Sequence, residues 1–261
     1  MKRRERADKL LCEQGLAPSR QKARALIMAG CVLSGEVRVE KCGQMLPADC
    51  LLKVREADNP YVSRGGLKLE HALRRFALDV RGKRALDVGA STGGFTDCLL
   101  QHGAEQVYAV DVGYGQMDPK IRSDQRVVHR ERVNIRHVVQ SDFPFLFELI
   151  TIDVSFISLR LVLPPVKELL ADGGEIVALV KPQFEVGKGQ VGKNGVVRNS
   201  KKHEQVLREI IDCAQNLGLC FRGLAASPIS GAKGNLEFFL HLVKLNERAS
   251  QEMIEQAICQ R

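Results

Sequence analysis

Two lysines and two carboxylates, Lys68, Asp153, Lys181 and Glu237, fall at the ends of predicted elements around one edge of a predicted sheet. A lysine screened from water beside a second cation holds its proton less firmly. Lys181, with Lys68 as that second cation, could therefore take a proton from a hydroxyl or polarise it. Asp153 and Glu237 would orient the ammonium groups and keep the cluster near neutral. The same four charges could equally form a buried salt-bridge network with no chemical task. A second group of residues bears on that choice. In KRALDVGASTGGFTD, residues 83–97, a short apolar run carries Asp87, and a turn of Gly89, Ala90, Ser91, Thr92, Gly93 and Gly94 leads to Phe95 and Thr96 at a helix start. Glycines here let a ligand approach the backbone, as in nucleotide-binding strand–turn–helix units. The next apolar run, Gln106–Val110, ends in Asp111, and a carboxylate at that place can accept both hydroxyls of a ribose.

The elements that must carry these groups follow from the periodicity. Helices are expected over 6–14, from Ser19 to Gly30, over 67–76, 95–102, 160–170, from Ser200 to Leu217 and over 247–260. Hairpin strands are expected at 32–33 and 37–39 around a Ser34-Gly35 turn, with another at 51–54. Further strands are expected at 85–88, 106–111, 127–129, 149–153, 174–180, 221–226 and 236–243. Alternating strands and helices describe an α/β, Rossmann-like, seven-stranded doubly wound sheet whose last strand returns antiparallel. Before it stands a small α+β module. Domain limits are expected at 1–57 and 63–261, with residues 58–62 as a linker around Asn59-Pro60. The connection holding Asn134 and Phe143 to Phe145 is where such folds place an adenine pocket.

The chain has 261 residues and a net charge of +8, concentrated in residues 1–57, where 12 Lys and Arg face 7 Asp and Glu. That excess suits a polyanionic partner. The eight cysteines form no C-x-x-C pair and lie near no histidine at ligand spacing, so no metal site is expected. No signal sequence or spanning apolar run is evident, and a cytoplasmic protein without membrane attachment is expected. Arg3, Arg4, Arg6, Arg20, Lys22 and Arg24 could present cations to phosphates from the N-terminal helices. Arg64, and Lys188 and Lys193 in the glycine-rich loop 187–198, add to that surface.

The pattern D-x-G-x-x-x-G-G from Asp87 to Gly94 resembles the cofactor loop of S-adenosylmethionine-dependent methyltransferases. Asp153 is followed by Val-Ser-Phe rather than the Pro-Pro-Tyr/Phe of base-nitrogen enzymes, and no cysteine stands beside it as in base-carbon enzymes, so ribose oxygen remains as acceptor. Arg6, Asp8, Gly15, Ser19, Arg20, Ala23, Leu26, Ile27, Gly30 and Val32 match the RNA-binding module named after ribosomal protein S-four. The set Lys68, Asp153, Lys181 and Glu237 resembles the tetrad of FtsJ-like ribose 2′-O-methyltransferases. Together with Ser63-Arg64-Gly65-Gly66, Asp153 to Ser158, Lys181 to Glu185 and Gly234 to Glu237, the whole chain resembles the haemolysin A (TlyA) family. That resemblance implies S-adenosylmethionine as cofactor, cytidine ribose in ribosomal RNA as substrate and the four tetrad residues as catalytic. It implies a cofactor site of residues 87 and 89–96, Asp111, Asn134 and Asp153, with ribosomal subunits as partners. Three competing readings are a membrane-acting cytolysin, a non-catalytic RNA-binding assembly factor and a nicotinamide-dependent oxidoreductase.

Overall fold

The computed structural model describes residues 4–28, 30–54, 59–187, 189–245 and 248–260. It divides into two compact units, Met1–Pro60 and Tyr61–Arg261. The first unit holds β1 (Arg4–Arg6), α1 (Ala7–Glu13), α2 (Arg20–Met28), β2 (Val32–Ser34), β3 (Val37–Arg38), β4 (Met45–Pro47) and β5 (Leu52–Val54). Leu10 and Leu11 of α1 and Ile27 of α2, spaced to share an inward face, meet Val32, Leu46 and Leu52 in a small core. Ser19 starts α2 by accepting the Lys22 N–H at 3.2 Å. Two details depart from the sequence-based expectation. Arg4 to Arg6 is a strand paired antiparallel with β4 rather than a lead-in to the helix. The hairpin turn is Gly35-Glu36, because Ser34 pairs with Val37 and Gly35 takes the left-handed φ of +62°.

The second unit comprises α3 (Arg64–Arg75), β6 (Arg84–Val88), α4 (Gly94–Gln101), β7 (Gln106–Val110), α5 (Pro119–Arg122), β8 (Val127–Arg130), β9 (Phe147–Ile152), α6 (Leu159–Glu168) and β10 (Leu170–Val180). It continues with α7 (Pro182–Glu185), α8 (Ser200–Asn216), β11 (Leu219–Ala226), β12 (Phe238–Lys244) and α9 (Gln251–Cys259). The sheet order is β11-β12-β10-β9-β6-β7-β8. Strands β8, β7, β6, β9 and β10 are parallel, and β12 runs antiparallel to both of its neighbours. Alternate residues feed opposite faces: in β10, Ile176, Ala178 and Val180 meet α6, α8 and α9, whereas Val177 and Leu179 face the core of α3 and α4. All carboxyl ends of the parallel strands therefore open on one edge, where α/β sheets bind ligands.

Helix α3 begins at Arg64, a turn earlier than the pattern suggests. Ser63 is its cap, accepting the Gly65 N–H at 3.3 Å, and the two glycines that look like a breaker are needed for close packing. A Cβ on Gly66 would enter the Tyr61 ring, and one on Gly94 would lie 3.1 Å from the Gly66 nitrogen. Lys68 consequently stands beyond the first turn, away from the unfavourable end of the helix dipole. Tyr61, expected in the linker, is buried in this packing. Two other shifts are local. Asn199, not Ser200, caps α8 through its side chain, and Glu237 immediately precedes β12 instead of lying within it.

Candidate active site

The turn after β6 is shaped by crowding. Gly89 has φ +85°, and a Cβ there would sit 2.5 Å from the backbone oxygen of Asp153. Gly93 has φ +90° and caps α4 from a left-handed conformation. Asp111 is fastened to this turn, accepting the Ser91 N–H at 2.8 Å and the Gly113 N–H at 2.6 Å. Between them opens a cavity of about 390 Å³, lined by Gly89, Ser91, Asp111, Asn134, Asp153 and Ser155 with Val112, Val133 and Ile135 along one side. Its size is that of a ligand pocket.

The expected cofactor residues divide into two layers. Gly89, Ser91, Asp111, Asn134 and Asp153 face the cavity. Asp87, Phe95 and Thr96 are buried behind the turn, and Ala90, Thr92, Gly93 and Gly94 shape it without lining the cavity. Phe143 and Phe145 are also displaced from the expected pocket. They pack edge-on against Tyr108 and Phe147 in the core, because aromatic rings here bury more surface than the cavity rim offers.

Asp87 is the sheet residue beneath the turn. Fully buried, it accepts the Thr96 hydroxyl at 2.7 Å and the hydroxyl of Thr151, its register partner on β9, at 3.0 Å. Burial pushes its carboxyl up to about 7, against the pull of the two threonines. The folded state thus holds this proton where the unfolded chain, with a value near 3.8, has released it. Wild-type stability accordingly loses a contribution as pH rises from about 4 to about 7. Asp87→Asn, which keeps one acceptor and gains one donor, should gain on the wild type by a few kcal/mol across that interval, read as urea-unfolding free energies at each pH.

The tetrad is assembled as two ion pairs. Lys181 Nζ lies 2.6 Å from Asp153 Oδ1, outside hydrogen-bond angles, and donates to Ser155 Oγ at 2.9 Å. Lys68 Nζ lies 2.5 Å from Glu237 Oε2, with the Glu237 side chain 3% exposed. The pairs are neighbours by register: Val180 pairs with Phe238, so Lys181 and Glu237 are the next residues opposite one another, just beyond the ends of β10 and β12. Lys181 commits one of its three N–H groups to Ser155 and meets Asp153 as a charge contact, which leaves N–H directions for a ligand.

Several contributors are given no individual role by the sequence, although Ser155 and Phe156 fall within its Asp153 to Ser158 motif. Ser155 lines the cavity and meets Lys181. Phe156, 89% exposed with φ +64°, projects beside it and meets the Phe184 ring at a tilt of 47°, with centroids 4.9 Å apart. Gly231 is set against Glu237: a Cβ there would overlap the buried carboxylate, which would have to shift. Gly231→Ala should therefore push the carboxylate off Lys68 and lower methyl transfer about 100-fold, the cost of a misplacement near 1 Å. An unchanged turnover with intact folding would remove Gly231 from the site.

The cationic candidates also separate. Arg6 and Arg20 both grip the buried Asp8, at 2.9 and 3.1 Å, and Arg6 foremost holds its carboxyl down at about 2. Arg4 donates to the Met45 carbonyl at 2.7 Å. Lys22 and Arg24 are exposed on α2 without an ion pair among the described residues, and Arg20, Gln21 and Arg24 border a surface depression. Arg64 is exposed at the start of α3. Lys193 opens a short turn over Lys193–Gly195, while Arg3 and Lys188 lie outside the described residues. Among the described residues no helix is long and apolar enough to cross a membrane, and no cluster of three or more His, Cys, Asp or Glu could hold a metal.

A doubly wound sheet with an antiparallel seventh strand, a glycine turn under a cavity and an acid after the second strand defines the methyltransferase class of Rossmann-like folds. The FtsJ-like methyltransferase model matches residues 61–244 and the S4 domain model residues 5–48. The chain is 51% identical over 98% of its length to the candidate rRNA methyltransferase YqxC of Bacillus subtilis, covering 92% of that protein. It is 44% identical over 99% of its length to the 16S/23S rRNA (cytidine-2′-O)-methyltransferase TlyA of Mycobacterium tuberculosis, covering 97% of it. A solved candidate hemolysin from Streptococcus thermophilus superposes with a TM-score of 0.78 at 45% identity, covering 100% of this chain and 96% of that one. The chain belongs to the FtsJ-like methyltransferase family, in its TlyA (haemolysin A) branch, and carries an S4 RNA-binding domain.

Proposed function

We propose that this protein methylates the ribose 2′-hydroxyl of cytidine in ribosomal RNA, using S-adenosylmethionine. The observation that carries the reading is Lys181 bound to Asp153 and Ser155, both of which line the cavity beside the glycine turn. The cavity fits such a cofactor: Asp111 is pre-set for ribose hydroxyls, and Val112, Val133 and Ile135 beside Asn134 offer an apolar slot with a polar rim for a purine. When bound, S-adenosylmethionine supplies an electrophilic methyl group on a sulfonium.

The residues of this chain do the rest. A ribose hydroxyl is a poor nucleophile, so its placement and the fate of its proton decide the rate. Lys181 stands beside the hydroxyl oxygen: its ammonium can only polarise that oxygen, and its unprotonated amine, which has a lone pair, takes the proton that the oxygen releases as it bonds to the methyl carbon. Asp153 fixes the lysine and balances its charge. Lys68 and Glu237, facing them across β10 and β12, hold the edge near neutral and orient the nucleotide. Phe156 offers an exposed ring on which an unstacked base can lie. RNA is engaged through the S4 domain and the unpaired cations of α2, with ribosomal subunits as the natural partner in the cytoplasm.

The test is transfer of labelled methyl from S-adenosylmethionine to intact ribosomal subunits and to naked ribosomal RNA, followed by mapping of the product nucleotide. A 2′-O-methylcytidine is expected. Label found on a base, or none on RNA, would end this reading.

A further inference from the structure

Lys181 and Asp153 occupy the ends of neighbouring strands, and each continues into a turn rather than a long rigid element. Lys181 passes directly into the four-residue α7, and Asp153 into residues 154–158 before α6. Strand-end loops are the mobile part of such folds, yet an ion pair in which a proton must move requires fixed geometry. A single carboxylate joins the two segments. Glu185, the last residue of α7, is 5% exposed and accepts the Ser158 hydroxyl at 2.6 Å and the Leu159 N–H at 2.8 Å. Its negative charge thereby sits on the first turn of α6, where the helix dipole favours it.

Arg160 closes the join from the other side. It donates to the Glu185 backbone oxygen at 3.0 Å and to Ser158 Oγ at 3.3 Å, and is itself anchored on Glu209 at 2.8 Å. Between this join and the ion pair, the rings of Phe156 and Phe184 meet at a tilt. The two segments are thus tied at three successive points, and Glu185 is the only one of the three that is buried and shielded from substrate.

We infer that Glu185 is a positioning residue that holds the Lys181 segment against the Asp153–Ser155 segment, and so sets the geometry of proton handling. It touches no substrate. The inference rests on the function proposed above, but its structural half can be tested without any catalysis.

Two variants and two readouts decide it. In Glu185→Ala, amide exchange at Asp153, Phe184 and Val186, whose N–H groups bond to Val88, Lys181 and Pro182, should quicken at least about tenfold while β7 and β8 amides keep their protection. At saturating cofactor and RNA, the single-turnover rate should fall about 100-fold with both binding constants within about threefold. Glu185→Gln, whose amide can still accept from Leu159 and meet Ser158, should recover most of the rate, and it serves as the working variant if the alanine chain does not fold. Exchange confined to α6, with an unchanged single-turnover rate, would reduce Glu185 to a helix cap and overturn the inference. So would rate loss in the glutamine variant equal to that of alanine, since charge rather than placement would then be responsible. A wild-type chain without transfer, but with coupled exchange at Asp153 and Phe184, would refute the proposed reaction and leave the join standing.

Discussion

Lys181→Ala should abolish measurable methyl transfer, by a factor of about 10² to 10⁴, while binding S-adenosylmethionine as the wild type does. The separation follows from where the lysine stands. Its side chain meets Asp153 and Ser155 but does not line the cavity, so deleting it removes no cofactor contact. What is lost is the group facing the hydroxyl, and Asp153 is left with a carboxylate oxygen that has no hydrogen-bond partner among the described residues. Calorimetric titration with cofactor and a single-turnover assay on the same preparation check the two halves. Retained activity would sink the assigned role, and loss of both functions would mean that the ion pair is structural.

Gly89→Ala should do the reverse and disable the cofactor site from the backbone. The substitution puts a Cβ on a residue at φ +85° and drives it against the Asp153 carbonyl 2.5 Å away, where backbone faces backbone and nothing can turn aside. The left-handed conformation costs about 1–2 kcal/mol for a residue with a Cβ. The overlap adds about 1–3 kcal/mol. Cofactor affinity should fall more than tenfold, with a stability loss of about 2–5 kcal/mol in urea unfolding at pH 7. Gly93→Ala is expected to be milder for the ligand, since its Cβ would meet Ile121 at 3.2 Å rather than the cavity wall. Equal affinity in Gly89→Ala and wild type would show that the turn can relax.

The seven strands and the antiparallel return of the last were legible because each strand is an apolar run closed by a polar residue, and the terminal residues Asp111, Asp153 and Lys181 marked the functional edge. The packing of α3 on α4 was not legible. Gly65 and Gly66 carry the same signature in a turn and in a tightly packed helix, and only the position of Tyr61 distinguishes the two. Likewise Asp87 belongs to the motif but lies behind the turn, bonded to Thr96 and Thr151, partners that the motif alone does not reveal. Phe143 and Phe145 were misplaced for a related reason: an aromatic in a loop reads as a binding residue until its partners Tyr108 and Phe147 are known. The residues that tie segments together, Ser155, Glu185 and Gly231, leave no periodic trace.

Strand β12 is the last strand in sequence, yet it lies between β10 and β11. During synthesis β10 and β11 therefore both emerge before the strand that pairs with each of them. Lys68, which emerges early, cannot meet Glu237 until 169 further residues have followed. Contacts this distant along the chain form late. The enzyme is thus silent during its own synthesis: a partly made chain can already present its S4 domain to RNA, but it cannot modify that RNA before its sheet is complete.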